Sequence, residues 1–434
     1  MDLKLILTLV TILVTIGLSF YLKNRYRLSP EQMKLFILLV LFWSIVNIIR
    51  AYRKSYAMQE ISVGGLELGA ISAANIAAAY GLVSMLMRFP TFFLSDALKS
   101  RKLMFGAVSL ILGLTNLWVI LDPNYTSLYA SSMAMGLGAS MLALFNVTFS
   151  ETFDEAQAMM SVSILSVAPL LAEFLMSPFQ YLTTSQEIKN YPRMWLISLI
   201  LSGVTLLFLT QVKDHRSTTR NMTREAFRAV ASHRAIWVLS AVGILVSFAR
   251  FGLTGSNFVT YAQSLGMSPL LVAYVELVYS LFQLAAGVLA GLWFAKRIGT
   301  KKTLLLGLAF SITFNVLLLV SHQPTVLFVA NGLSGFGYGL TYNALIGMAL
   351  QPYARKHREM SMGIFQTFFG LGIFFGDKVY AWMKQLLPEG LSQLQVDRTT
   401  FLLILIITIV TAVSFLILAP PDREQSSKLN KLRA

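Results

Sequence analysis

The chain has 434 residues, of which 56% are hydrophobic and 13% charged, and its mean hydropathy is +0.67. A soluble domain carries about 25% charged residues, so a soluble globular protein is excluded. Without cysteine there are no disulfides or thiolate metal sites, and four scattered histidines do not make a metal centre.

The formal charge of +15 would suit a nucleic-acid binder, but the basic residues fall in short loops between apolar runs. Membrane proteins place Lys and Arg there to fix orientation, so no nucleic-acid partner is expected. Thirteen runs approach the roughly 20 residues that span a bilayer. The first, Leu3–Leu22, follows the leader MDLK and precedes Lys23, Arg25, Arg27 and Lys34. A secretory signal is its rival. The leader is not basic overall and no A-x-A-like site follows, so an extra N-terminal transmembrane helix over residues 1–24 is expected.

Six helices follow over residues 33–212: Met33–Lys54, Leu66–Arg88, Leu103–Leu121, Ser127–Phe149, Met159–Tyr181 and Arg193–Val212. Asp122-Pro123-Asn124 marks a turn. Residues 213–234 break the pattern with six Lys or Arg and read as a cytoplasmic linker. Six more spans fill residues 235–418: Ile236–Thr260, Pro269–Ala295, Thr303–Ser321, Thr325–Leu350, Met360–Met383 and Thr399–Leu418. A basic tail occupies residues 419–434. With the N-terminus outside, cytoplasmic segments hold 25 of the 35 Lys and Arg. That bias places the C-terminus in the cytoplasm of a cell-membrane protein. The acidic loop after Phe149, with Glu151, Asp154 and Glu155, is the one segment against it.

The halves repeat. LSDALKSRK (Leu94 to Lys102) and FAKRIGTKK (Phe294 to Lys302) each follow the second helix of a six-helix set, with centres Lys99 and Gly299, 200 residues apart. Arg50 and Arg250 have the same offset. This layout resembles the major facilitator superfamily, whose loop motif reads roughly G-x-x-x-D-R-x-G-R-R/K. The first copy keeps Asp96, Arg101 and Lys102; the second keeps Arg297, Gly299, Lys301 and Lys302. The resemblance implies an all-α membrane protein with the major facilitator fold: two pseudo-symmetric six-helix bundles, twelve transmembrane helices, plus the extra N-terminal helix. It also implies an alternating-access secondary transporter with a site between the bundles near the midplane, in which Asp96, Arg101, Lys102, Arg297 and Gly299 serve gating.

Charges inside the membrane narrow the substrate. Arg250 is the fifteenth residue of its span. A buried cation there costs roughly 3 kcal/mol, so it is expected to face a bundle or a wet cavity. The runs IIRAYRKSYA and FARFGLTGSNF resemble the organophosphate:phosphate antiporter family, which places a basic residue on helix 1 and an arginine on helix 7 and binds phosphate with both. The resemblance implies a small anionic solute, phosphate- or carboxylate-bearing, held by Arg250 with Arg50 or Arg53. The 200-residue offset selects Arg50 and the family motif selects Arg53. Lys54, Glu276, Asn257, Tyr261 and Asn47 join the candidate substrate-binding set, and Glu276 has a counterpart on helix 8 of that family. Guanidinium forks suit such oxygens. Snorkelling to the headgroups is the alternative for Arg50, Arg53 and Lys54, which lie at the end of their span. Glu276 could instead pair structurally with Arg250.

Where that family often has a helix 5 histidine, this chain has Ser163, Ser166 and Pro169. Glu173, in the same predicted helix, is the candidate proton-coupling residue, because a desolvated carboxyl holds its proton more readily. Exchange or proton coupling both fit. The alternatives are an anionic-lipid flippase and a proton-driven drug or metabolite exporter. No paired carboxylates at metal spacing, no Ser/His/Asp arrangement and no large soluble domain point to an enzyme, and no cofactor is expected. The partners expected are the solute, the lipid bilayer and possible coupling protons, with the chain as a monomer.

Overall fold

The computed structural model describes residues 3–153, 164–214, 223–350, 355–388 and 390–419, and among these every regular element is helical. The helices are α1 (Leu3–Arg25), α2 (Pro30–Arg50), α3 (Arg53–Met58), α4 (Ala70–Leu98), α5 (Arg101–Leu121), α6 (Tyr125–Ser150), α7 (Val167–Thr184), α8 (Pro192–Leu209), α9 (Arg224–Ala231), α10 (Arg234–Leu253), α11 (Ser256–Ser264), α12 (Pro269–Leu289), α13 (Ala295–Ile298), α14 (Thr300–Val320), α15 (Pro324–Leu350), α16 (Arg355–Leu386) and α17 (Gln393–Leu418). A helix occupies each of the thirteen predicted spans. Ten of the helical stretches among the described residues are long and apolar enough to cross a membrane by length and composition.

Local chemistry sets the boundaries. α2 begins three residues before the predicted start because Ser29 accepts the Gln32 amide while the Gln32 side chain returns to the Ser29 N–H, with Pro30 at the first helical position. Such a capping box satisfies two orphan donors at once. Asn124 and Ser127 do the same for α6, and Ser392 and Gln395 for α17. Ser100 caps α5 by accepting from the Leu103 amide.

Two predicted spans are not continuous. The first bundle's opening helix stops at Arg50, turns through Ala51 and Tyr52, and resumes as α3. The predicted helix Ile236–Thr260 breaks at Thr254 and Gly255, where Gly255 has φ 63° and ψ −134°, before resuming as α11. Only glycine adopts that backbone without strain. Both breaks fall within five residues of the arginines that the repeat pairs, Arg50 and Arg250. Between α12 and α13, Ala290–Phe294 forms a π turn, where an unbroken helix was expected.

The described chain divides into two compact units. The first comprises Met1–Met87, Leu94–Ser217 and Gly255–Leu277; the second comprises Arg88–Phe93, Thr218–Thr254 and Val278–Ala434. In the first unit α2 lies at the centre: 83% of its apolar window is buried, against 11% for α1. α1 packs on α7, where its Thr11 is buried and meets the Tyr274 hydroxyl at the start of α12.

In the second unit the main packing seam is α10 against α16. Ser247 donates to the Phe369 carbonyl across it at 2.7 Å. A Cβ on Gly372 would stand 2.1 Å from the Ile244 carbonyl oxygen, and one on Gly376 would stand 2.6 Å from that of Phe248. On α15, Gly335, Gly337 and Gly339 approach the carbonyls of Tyr279, Gly307 and Gln283 in the same way. These glycines therefore form helix–helix contact surfaces.

Each repeated loop contains a residue with positive φ, left-handed helical at Lys99 (ψ 23°) and with an extended ψ of 157° at Gly299. Lys99 has φ 52° after α4, and Gly299 has φ 86° after α13. Lysine pays for its Cβ in the left-handed region and glycine does not. Lys99→Gly is therefore expected to stabilise the first unit by about 0.5–1 kcal/mol, read as a rise in Tm of the purified protein. A drop in Tm would show that the Lys99 side chain contributes more than its backbone costs.

Candidate functional site

In the first unit the end of α2 presents Arg50 to two acids. Its Nη2 donates to Glu173 Oε1 at 3.1 Å and to Glu276 Oε2 at 3.2 Å. Glu173 comes from α7 and Glu276 from α12. The other Glu276 oxygen accepts the Gly255 N–H at 3.0 Å. One carboxylate thus joins the end of α2 to the break before α11. Glu276 pairs with Arg50, which replaces the alternative that it pairs with Arg250.

Arg53 lies one turn beyond Arg50 and is buried. It donates to the carbonyls of Arg50 and Ala77 at 3.0 and 2.9 Å, and its guanidinium lies 5.1 Å from the Tyr80 ring centre. Of the two candidates that sequence left open, Arg50 therefore meets the acids, and Arg53 braces the unwound turn and α4. Lys54 donates to Asn257 Oδ1 at 2.8 Å. Ser55 and Thr260 follow at 3.4 Å, and Gln59 and Gln263 at 3.3 Å, forming a polar ladder between α3 and α11. Gln59 also accepts from Lys189 and from Tyr191, at 3.1 and 2.8 Å. Asn47 donates to the Pro169 carbonyl at 3.5 Å, and Tyr261 is buried.

Arg250 belongs to the second unit, one turn before the Gly255 break. Its guanidinium lies 3.8 Å from the ring centre of Tyr279, 5.1 Å from Phe251 and 5.4 Å from Tyr338. Among the described residues no carboxylate comes within ion-pair distance of it, and its buried Nε has no hydrogen-bond partner. The residue also borders a cavity lined by Ser311, Asn315, Ser334, Tyr338 and Thr341 among others, with about 30 Å³ open to the centres of water molecules. That volume holds one or two waters. Leu245, Val246, Ala249, Leu253 and Leu308 also line it, so the cavity is mixed in character, and the aromatic faces hold the guanidinium plane by cation–π attraction. The same unit contains an interaction the sequence did not suggest. Arg88 donates to the Gln366 side chain, and Gln366 Nε2 donates to the Tyr342 hydroxyl at 2.7 Å.

The loop motifs also acquire partners. Arg101, buried at the start of α5, grips Glu151 with both terminal nitrogens, at 2.5 and 2.8 Å. Its loop is thereby tied to the acidic segment after α6. Lys102 Nζ donates to the Thr210 and Val212 carbonyls at the end of α8, and its backbone N–H donates to Asp214. Lys301, in the second copy, donates to the Leu416 and Ala419 carbonyls at the end of α17. A lysine near unsatisfied terminal carbonyls completes a helix end and suits its negative pole. The two loops thus make equivalent contacts with the last helix of each six-helix set. Arg297 lies exposed over Trp293, and Gly299 supplies the turn. Asp96 sits in α4, and its side chain lies outside the described residues, as do Ser163 and Met159 of the predicted helix 5.

The sequence profile of the Major Facilitator Superfamily matches residues 35–275 and 239–434. The chain belongs to that superfamily: it is an all-α multi-pass membrane protein with the fold of a secondary transporter. Solved structures agree on the fold. A point mutant of the nucleoside transporter NupG aligns with 90% of this chain and 100% of its own at TM-score 0.70 and 15% identity. A POT family transporter in complex with 5-aminolevulinic acid aligns over 90% and 96% at 0.69 and 14%, and a D-xylose-proton symporter over 90% and 97% at 0.68 and 12%. No curated protein sequence matches the chain.

Proposed function

We propose that the protein is an alternating-access transporter of a small anionic solute, phosphate- or carboxylate-bearing, with Arg250 as the anion-recognising residue. The observation that carries this reading is the state of that side chain. It is an intramembrane guanidinium, stacked on Tyr279 beside a small cavity of mixed polar and apolar lining, with no carboxylate in ion-pair range among the described residues. A guanidinium cannot shed its charge. It is most favourably placed in a membrane protein when an anion completes it.

Arg50 is the second anion ligand, currently occupied by its own acids. The Arg101–Glu151 clamp and the Lys102 and Lys301 contacts serve as latches on the cytoplasmic side. In this reading residues 33–212 and 235–418 are the two bundles, 1–24 is an added helix, 213–234 is a cytoplasmic linker and 419–434 is a cytoplasmic tail. The N-terminus lies outside the cell membrane. Exchange of one anion for another fits the cationic sites, since moving net charge against the potential is worth about 2.3 kcal/mol per charge per 100 mV.

A thermal-shift screen of the purified protein against phosphate esters, dicarboxylates and cationic drugs tests the substrate class. A ligand that binds only the folded state raises Tm. Anions, and not cations, are expected to do so; stabilisation confined to cationic compounds would overturn the reading.

A further inference from the structure

Four aromatic rings gather in the second unit, and two of them are only half buried. Tyr338 and Tyr342 stand one turn apart on α15, with ring centres 5.3 Å apart and planes inclined by 13°. Phe369 of α16 backs both, 5.1 Å from Tyr342 and 6.4 Å from Tyr338, and Tyr279 of α12 lies 6.2 Å from Tyr338. Phe369 and Tyr279 are buried, whereas Tyr338 and Tyr342 keep part of their surface accessible. All four belong to the second unit.

The accessible side is not the outward face of the helix. Val329, 66% exposed, marks the outward apolar face of α15. Nine residues of α-helix make two and a half turns, so Tyr338 stands opposite Val329, and Tyr342 shares its side. A cluster that served packing alone would be buried there, as its two backing rings are. A cation also stands at each end of the stack. The Arg250 guanidinium lies 5.4 Å from the Tyr338 ring centre. Arg88 of α4 donates to Gln366 Oε1, and Gln366 Nε2 donates to the Tyr342 hydroxyl at 2.7 Å. Arg88, Gln366 and Arg250 lie in the same unit.

Two tyrosines braced in this way lose little freedom on binding, because each has only two side-chain torsions. A further flat ring at their accessible side gains offset-stacked or edge-to-face contact. The flanking arginines favour a ring that carries negative charge. We propose that the Tyr338–Tyr342 stack is a recognition platform for a planar ring, and that the solute is an aromatic anion, a carboxylate or phosphate borne on an unsaturated ring. Tyr338 and Tyr342 then determine specificity, and Gln366 holds the Tyr342 ring through its hydroxyl. The charge half of this inference rests on the function proposed above; the ring half does not.

The test uses ligand pairs that share charge and frame and differ in ring unsaturation: benzoate against cyclohexanecarboxylate, and phenyl phosphate against cyclohexyl phosphate. Benzamide is the uncharged counterpart of benzoate. Each is titrated into the purified full chain and read by the rise in Tm. The aromatic member of at least one pair is expected to reach a given rise at about tenfold lower concentration, the worth of one ring-on-ring contact. The preference is expected to disappear in Y338L and in Y342L, made separately so that a failure of one to fold leaves the other. It is expected to survive in Y342F, which keeps the ring. Equal shifts within both pairs, or a preference unchanged in the leucine variants, would overturn the platform and leave an anion site standing. Shifts with benzamide as large as with benzoate, lost in Y338L or Y342L, would uphold the platform and refute the anion reading. No shift with any compound would overturn both.

Discussion

Arg250→Lys is expected to lower uptake of the proposed anionic solute into proteoliposomes by about tenfold to a hundredfold, while Tm changes by only a few degrees. Lysine keeps the charge and most of the length. It loses the planar fork that donates two parallel hydrogen bonds to one anion, and it loses the flat face that stacks 3.8 Å above Tyr279. Loss of a bidentate contact is worth about 1.4–2.7 kcal/mol, which gives that range of affinity. The stability effect is small because no carboxylate among the described residues depends on Arg250 for its partner, so none is left buried and unpaired by the change. Uptake equal to the parent's would remove Arg250 from the site. A collapse of Tm with loss of uptake would assign it a structural role instead.

The largest stability effect is expected at Gly372. Gly372→Val should lower stability by about 3 kcal/mol or more and appear as aggregation or a much reduced Tm in detergent. The reason is distance: any Cβ there meets the Ile244 carbonyl at 2.1 Å and the Ser247 hydroxyl at 2.0 Å. The carbonyl belongs to the α10 backbone and does not rotate away, so α10 and α16 would have to separate, with loss of the Ser247–Phe369 hydrogen bond. Membrane helices rely on such close approach, since lipid offers no hydrophobic drive to bring them together. Forced overpacking of this kind typically costs about 1–3 kcal/mol even where side chains can adjust. Gly347→Ala is the control on α15, since its added Cβ would meet nothing within 4 Å beyond the helix's own local backbone; a Gly372 variant as stable as that control would refute the packing argument.

Much of the architecture was legible in the sequence because the bilayer imposes a length and a polarity on each crossing segment. Apolar runs of spanning length, basic loops and a 200-residue offset were enough to locate thirteen helices and a twofold repeat. Arg50 and Arg250 stood out for the same reason: a charge that cannot be neutralised is conspicuous in an apolar run. The breaks at Ala51–Tyr52 and Thr254–Gly255 were less visible, because hydropathy averages over a window and neither interruption changes it. The glycine in Leu253-Thr254-Gly255 was the available signal for the second break.

What the tertiary structure decided is which charge meets which. The sequence offered Arg50 and Arg53 equally, and Glu276 as a substrate ligand or, alternatively, a partner for Arg250. The fold gives Arg50 both acids, turns Arg53 onto the carbonyls of Arg50 and Ala77, and leaves Arg250 on aromatic rings. Periodicity places a side chain on a face of its own helix. Pairing depends on the distance and rotation of a second helix, which enters the chain a hundred or more residues later and leaves no trace in local composition. The chain alone therefore placed the apolar helices and the cations among them, and only the packing of α7, α11 and α12 around the end of α2 determined which acids Arg50 meets.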